Sequence, residues 1–353
     1  MATDELIIET DFIHLLQEPD LESPPAEPFL KEEAQRFAPY SRFQTHQWQA
    51  QLNKHESELR PIIEPHLSRA ARNEKHPVLD FLFRYYSFRP QQLLRWTPGS
   101  GIILCNASSR DFPDSLGFRP VPEGRALDLA RFPKKRVPFL WWVFRLNREL
   151  LIRQPRFSCF GLHEWAMLYR SGEPRHETIP LRVSTSTIEQ VVESHPLTCT
   201  HFDAFRFFSP EAAPRNGITL TRLTSATHEQ PGCLHASMDL YKSCYKLYPW
   251  VSSTLLRASF LLAKRARIVD MEASPYDVRP LGYNSIPIET EIGKALYIEH
   301  QRAIHDEAQT IRQRLVDELR FLIKEISSLS QSTNQPSSEL ESVELEGLEE
   351  HLD

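Results

Sequence analysis

The chain has 353 residues, enough for one large domain or two modest ones, yet only 11 are glycine. That is about 3%, against an average near 7%, and it argues against dinucleotide folds and glycine-rich phosphate loops. The net charge of −6 conceals acidic ends around a basic body. Residues 1–34 hold ten acids and one base, and residues 326–353 hold seven acids and no lysine or arginine, so the rest carries 30 acids against 40 bases. A body of +10 suits polyanions such as DNA. Ordinary solvated arginines on helices give the same balance.

In chain order, residues 1–30 are acidic and proline-containing and read as a mobile arm, with 31–326 a helical globular domain. A short strand is expected at Gly101–Cys105, a helix from Trp141 to Ile152, a strand at Leu181–Val183 and a helix from Thr187 to Glu193. Ser252 and Ser253 precede Leu255, Ser259, Leu262, Ala266 and Val269, the pattern of a capped helix that Ser274-Pro275 then breaks. Ile304, Ala308, Ile311, Leu315, Leu319, Leu322 and Ile326 step by three and four along one stripe of a last, long helix. Residues 327–353 are low-complexity and acidic and read as a disordered tail, a surface for a protein partner. The fold class is therefore mainly α: a multi-helix single globular domain with a few short strands.

Five cysteines without a CxxC pair fit reduced thiols and a cytoplasmic location. Asp4, Glu5 and Glu9 stand where a signal peptide would carry positive charge. The most apolar stretch, Val137 to Phe144, is too short to span a bilayer, so no membrane role is expected.

No Walker loop, GxGxxG, GxSxG or HExxH occurs, and His163-Glu164 is followed by Met167 where a zincin needs its second histidine. What stands out is five segments, 76–90, 159–170, 199–210, 229–242 and 270–283, each interspersing acidic, basic and aromatic residues, four of them with histidine. Such residues are costly to bury unless paired or ligated. His76/Asp80 and His235/Asp239 are four apart, which on a helix places each pair on one face. Together with His163, Glu164, His201, Asp203 and Glu229, these residues make a candidate ligand set for iron, manganese or zinc. The chemistry would be that of a helical metal-dependent oxidase or hydrolase on a small molecule. The same pairs, merely hydrogen-bonded, would only fix packing. Asp270, Glu272 and Asp277 offer three more acids in eight residues, which could ligate a divalent metal through oxygen or equally cap and solvate a turn, the reading slightly favoured.

Asp203 lies among Phe202, Phe205, Phe207 and Phe208, beside Arg206. Rings around one carboxylate suit a flat, electron-poor base, and they suit a hydrophobic core equally.

The runs RHETIPLR (175–182), THFDAFRFF (200–208) and EQPGCLHASMDLYK (229–242) resemble a bacterial family whose members carry the name 3-methyladenine DNA glycosylase, over about residues 75–315. The resemblance implies excision of alkylated purines without a cofactor. Asp203 would then be the catalytic acid, with Glu164, His201, His235 and Asp239 as further candidates. Phe202, Phe205, Trp165 and Tyr241 would form the base pocket, and Arg89 and Arg206 would contact phosphate. The chain has neither a glycine-rich hairpin nor tandem helical repeats, so the resemblance implies a fold apart from those glycosylase classes.

Overall fold

In this computed structural model the described residues are 41–171, 179–222 and 224–333. The expected N-terminal arm lies outside them, as does the chain beyond Thr333. The mainly α architecture is as expected: eleven helices and one four-stranded sheet among the described residues.

A strand β1 (Ser41–Phe43) leads into the long helix α1 (Thr45–Ala71), followed by two single turns, α2 (Phe81–Arg84) and α3 (Pro90–Leu93). The strands β2 (Ile102–Cys105), β3 (Phe118–Val121) and β4 (Gly124–Leu127) complete a sheet of order β1-β2-β4-β3. β1 runs parallel to β2, with Ser41 opposite Ile102, and the other pairs are antiparallel. The hairpin between β3 and β4 turns at Gly124, whose φ is +153° and whose missing Cβ would sit 2.0 Å from the Leu104 carbonyl oxygen. Only glycine allows that approach. The expected strand at Leu181–Val183 is reduced to one bridge, Leu181 to Tyr276.

The helices that build the interior follow: α4 (Val137–Ile152), α5 (Leu162–Leu168), α6 (Thr185–Ser194), α7 (Phe202–Phe205), α8 (Ser225–His228), α9 (Leu234–Lys246), α10 (Ser253–Glu272) and α11 (Glu291–Thr333). α9 and α10 pack closely on each other, and α11 lies along α4, α9 and α10. The stripe read from the sequence is the one α11 buries: Ile304, Ala308, Ile311, Leu315, Leu319 and Leu322 are all core. Ser252 caps α10, its Oγ accepting from the Leu255 N–H at 3.3 Å, as its position predicts. Glu318 of α11 in turn accepts from the Ser252 N–H and hydroxyl, at 2.7 and 2.6 Å, which ties the start of α10 to α11.

Two expectations are corrected. α11 continues to Thr333, seven residues into the supposed tail, because 327–333 contains neither proline nor glycine to stop a helix already propagating. The His76–Asp80 segment is a turn, not a helix. Asp80 accepts from the His76 backbone N–H at 2.7 Å and pairs with His66 at 2.8 Å and Arg69 at 2.9 Å, both on α1. The imidazole partner of Asp80 is thus His66, and the His76 ring instead accepts from the Leu79 N–H at 3.2 Å.

α1 itself carries Pro61 and Pro65 inside the helix and buries Trp48, His55, Leu59, Ile63 and His66 on one face. His55 is fully buried, 2.7 Å from the Leu93 carbonyl oxygen, and burial pushes its pKa down from 6.5 to about 4. The folded protein keeps this ring neutral while the unfolded chain protonates it. Its contribution is therefore complete above pH 6.5 and is lost as the pH falls toward about 4. The expected loss is at most about 3 kcal/mol. Urea unfolding of His55→Gln, which keeps a donor for Leu93, should show a flatter pH dependence in that window. An unchanged slope would assign the acid sensitivity elsewhere.

Candidate metal centre

α5, α9 and the last turn of α10 converge in the interior, and each brings polar side chains to the junction. His163 and Glu164 come from α5, His235 and Asp239 from α9, and Arg267 and Asp270 from α10. The cap of α7 adds His201, α7 adds Asp203, and the end of α8 adds Glu229.

His163, His235 and Asp270 form one group whose ligand atoms lie within 4.8 Å of one another, and His201, Asp203 and Asp239 form a second. The two meet through the imidazoles. His235 stacks on His201 with ring centroids 5.5 Å apart and meets His163 edge-on at 4.4 Å.

The groups differ in how their carboxylates are satisfied. In the second, Lys242 Nζ bridges Asp203 and Asp239 at 3.0 and 2.9 Å, Tyr86 donates its hydroxyl to Asp239 at 3.0 Å, and Arg206 approaches Asp203 at 3.4 Å. A cation already occupies that position. In the first, Arg267 donates one N–H to Asp270 Oδ2 at 2.7 Å and to Glu164 at 3.0 Å. Asp270 Oδ1 is turned toward His163 Nδ1 at 3.4 Å, and beyond that approach neither atom finds another partner among the described residues. A buried carboxylate oxygen and an imidazole nitrogen facing each other at that distance satisfy one another when the imidazole is protonated, and could both turn to a cation instead.

Four carboxylates, those of Glu164, Asp203, Asp239 and Asp270, touch three fixed cations, Lys242, Arg267 and Arg206, and a fifth, that of Glu229, touches only His201, so the five exceed these cations by two negative charges. Protonated imidazoles can balance them. Burial pulls His201 down, but Glu229, 2.5 Å from its Nδ1, more than offsets this and brings it up to about 9. His163 is likewise raised, Asp270 and Glu164 overcoming its burial. His235, by contrast, is pushed down to about 3 by burial and by its charged neighbour His163, and so stays neutral. A divalent cation would satisfy the same surplus.

A cavity of about 220 Å³ opens beside the first group. His163, His235, Cys159, Cys199 and Cys233 line it, and Leu162, Leu197, Phe208 and Leu234 supply apolar wall. The thiols are neutral, with Cys199 pushed up to about 12 by burial.

The expected site residues are thus only partly brought together. His163, Glu164, His201, Asp203, Glu229, His235 and Asp239 share the junction, while His76 and Asp80 form their own turn beside α1. His235 and Asp239, expected as a pair, belong to different groups. Of the proposed ring pocket, Trp165 is wholly buried, its indole N–H donating to the Ala273 carbonyl at 2.9 Å with Arg182 over its face. Tyr241 packs against Tyr86, Phe88 and Phe260 in the core. Phe202 and Phe205 are half-buried and do not line the cavity, whereas Phe208 does. Arg89 and Arg206 are exposed.

Sequence reasoning missed Arg267 and Lys242, and it left Asp270 between a divalent-metal ligand and a solvated turn, slightly favouring the turn. The available signal was i, i+3 spacing, Arg267 to Asp270 and Asp239 to Lys242, within helices that otherwise bury apolar residues. No family model, curated protein or solved structure matches the chain.

Arg267 and Asp270 are fully buried. Replacing Arg267 by methionine keeps the volume and leaves two carboxylates without their cation. Arg267→Met should lower the unfolding free energy by about 3–5 kcal/mol, read from the urea midpoint at constant m. A loss below about 1 kcal/mol would mean that other groups neutralise Glu164 and Asp270.

Proposed function

We propose that the chain is a metal-dependent enzyme acting on a small molecule in the cavity beside His163 and His235. One observation carries the reading: two imidazoles and a carboxylate present ligand atoms within 4.8 Å, and both imidazoles stand at the cavity wall. Two histidines and one carboxylate leave coordination positions open. That donor set with iron or manganese supports oxidation, and with zinc it supports hydrolysis. Arg267 would act as a positioning residue, holding Asp270 by Oδ2 so that Oδ1 faces the imidazoles. His201, paired with Glu229 and stacked on His235, would hold a proton behind the ligand rather than ligate.

The base-excision reading rests on the resemblance. The face that would serve it is cationic and aromatic, with Arg206 over Phe207 at 4.5 Å and Arg222 over Phe202 at 5.8 Å. Asp203 would first have to release Lys242 and Arg206 to act as the catalytic acid. The metal reading needs no such rearrangement, and we rank it first. Among the described residues no helix is long and apolar enough to cross a membrane.

Full-length protein, stripped with chelator and reloaded separately with Fe(II) under anaerobic conditions, Mn(II) or Zn(II), should retain about one equivalent of metal by elemental analysis. His235→Gln combined with Asp270→Asn should lose it while keeping its helical circular dichroism. Full retention by that double variant would overturn the reading. Release of methylated purine from alkylated duplex DNA by the stripped protein would favour base excision instead.

A further inference from the structure

The cavity says more than where a metal would lie. Most of its buried lining, Leu162, Leu197, Phe208, Cys233 and Leu234, is apolar or weakly polar, with Gln230 and Tyr297 as the buried polar members, and its exposed lining residues, Arg156, Ser158 and Gly217, mark the mouth. Arg156 is the one arginine or lysine of that lining. Among the described residues no carboxylate pairs with its guanidinium, as none does with the exposed Arg84, Arg110 and Arg314, so what sets Arg156 apart is its place at the cavity mouth.

The backbone of Arg156 is also fixed at the rim. Its N–H donates to the buried Gln230 Oε1 at 2.9 Å, and its peptide lies so close to Gly232 that a Cβ there would stand 2.4 Å from the Arg156 carbonyl oxygen. Glycine at 232 is what permits that contact. The same loop runs on into Cys233 and the ligand candidate His235, so the arginine and the imidazole are held in register by a few residues of chain.

A guanidinium is a planar fork matched to a carboxylate, and apolar walls between it and the imidazoles suit an apolar body. An apolar cavity of about 150 Å³ holds benzene, so on the same footing 220 Å³ admits about nine non-hydrogen atoms. We propose that Arg156 anchors the carboxylate of a small, mostly apolar monocarboxylic acid, whose body lies in the cavity toward His163 and His235. This deepens the metal reading by naming its substrate class, while the anchor itself uses no metal ligand.

The probe is benzoate, with benzamide as its uncharged counterpart of equal size, titrated calorimetrically into stripped and metal-loaded full-length protein. Benzoate should bind both forms, and benzamide at least tenfold more weakly. Arg156→Gln should lose benzoate affinity at least tenfold with metal uptake unchanged, and Arg156→Lys should recover part of it. Ile218→Trp, which fills the cavity from another lining position and leaves the arginine in place, should abolish binding. Absence of benzoate binding, equal affinity for benzamide, or unchanged binding by Arg156→Gln or Ile218→Trp would each overturn the proposal. Inorganic phosphate binding as tightly as benzoate would do so too, since it has no apolar body. Benzoate bound through Arg156 in a protein that takes up no metal would leave the anchor standing and remove the metal reading alone.

Discussion

Carboxylates carried into the interior set the terms for the rest of the molecule. Glu164 and Asp270 are buried almost completely, and Glu229 nearly so, in the packed interior. An unpaired charge in such a place costs several kcal/mol, so a cation must arrive with it. Arg267 does so from the same helix as Asp270, one turn back, and its guanidinium also lies 4.1 Å above the Phe81 ring. That requirement fixes the rotation of α10 against α5, and with it the position of His163 relative to Asp270.

The two polar groups at the junction illustrate opposite solutions to one electrostatic problem. Between Asp203 and Asp239 the compact ammonium of Lys242 sits where a metal would, so the chain supplies its own cation. Beside Asp270 the guanidinium is committed to one carboxylate oxygen and leaves the other facing two imidazoles, one of which burial keeps neutral. A neutral imidazole and a carboxylate oxygen whose one partner is another imidazole are candidate ligands; a carboxylate held by lysine is an ion pair. For that reason the first group, not the second, carries the functional reading, although both contain a histidine and at least one aspartate.

The loop from Glu229 to Cys233 joins these parts. Glu229 charges His201, Gln230 and Gly232 hold the backbone of Arg156, and the chain then enters α9 to present His235 and, one turn on, Asp239. α11 closes the far side: its Gln301 donates to the Gly232 carbonyl at 2.6 Å, and His305 lies 2.9 Å from that of Pro231. A loop so tied by its own backbone keeps cavity and candidate ligands together without needing a regular element.

The amino-acid sequence by itself determined the helical class, the stripe and cap that place α10 and α11, and the segments from which the site is drawn, because periodicity and capping are local properties of the chain. It concealed α1, whose prolines and buried histidines break the usual apolar pattern, and it allowed α11 to be ended too soon at the first run of serines. It also suggested the wrong partners. His76 with Asp80 and His235 with Asp239 are sensible pairs on a single helix, yet the structure gives Asp80 to His66 and Asp239 to Lys242 and Tyr86. Which acid meets which base is decided across elements, by charges such as Glu164 and Arg267, 103 residues apart in the chain, that must neutralise one another once buried. Only the packed interior, with its low dielectric and its shortage of water, enforces that choice.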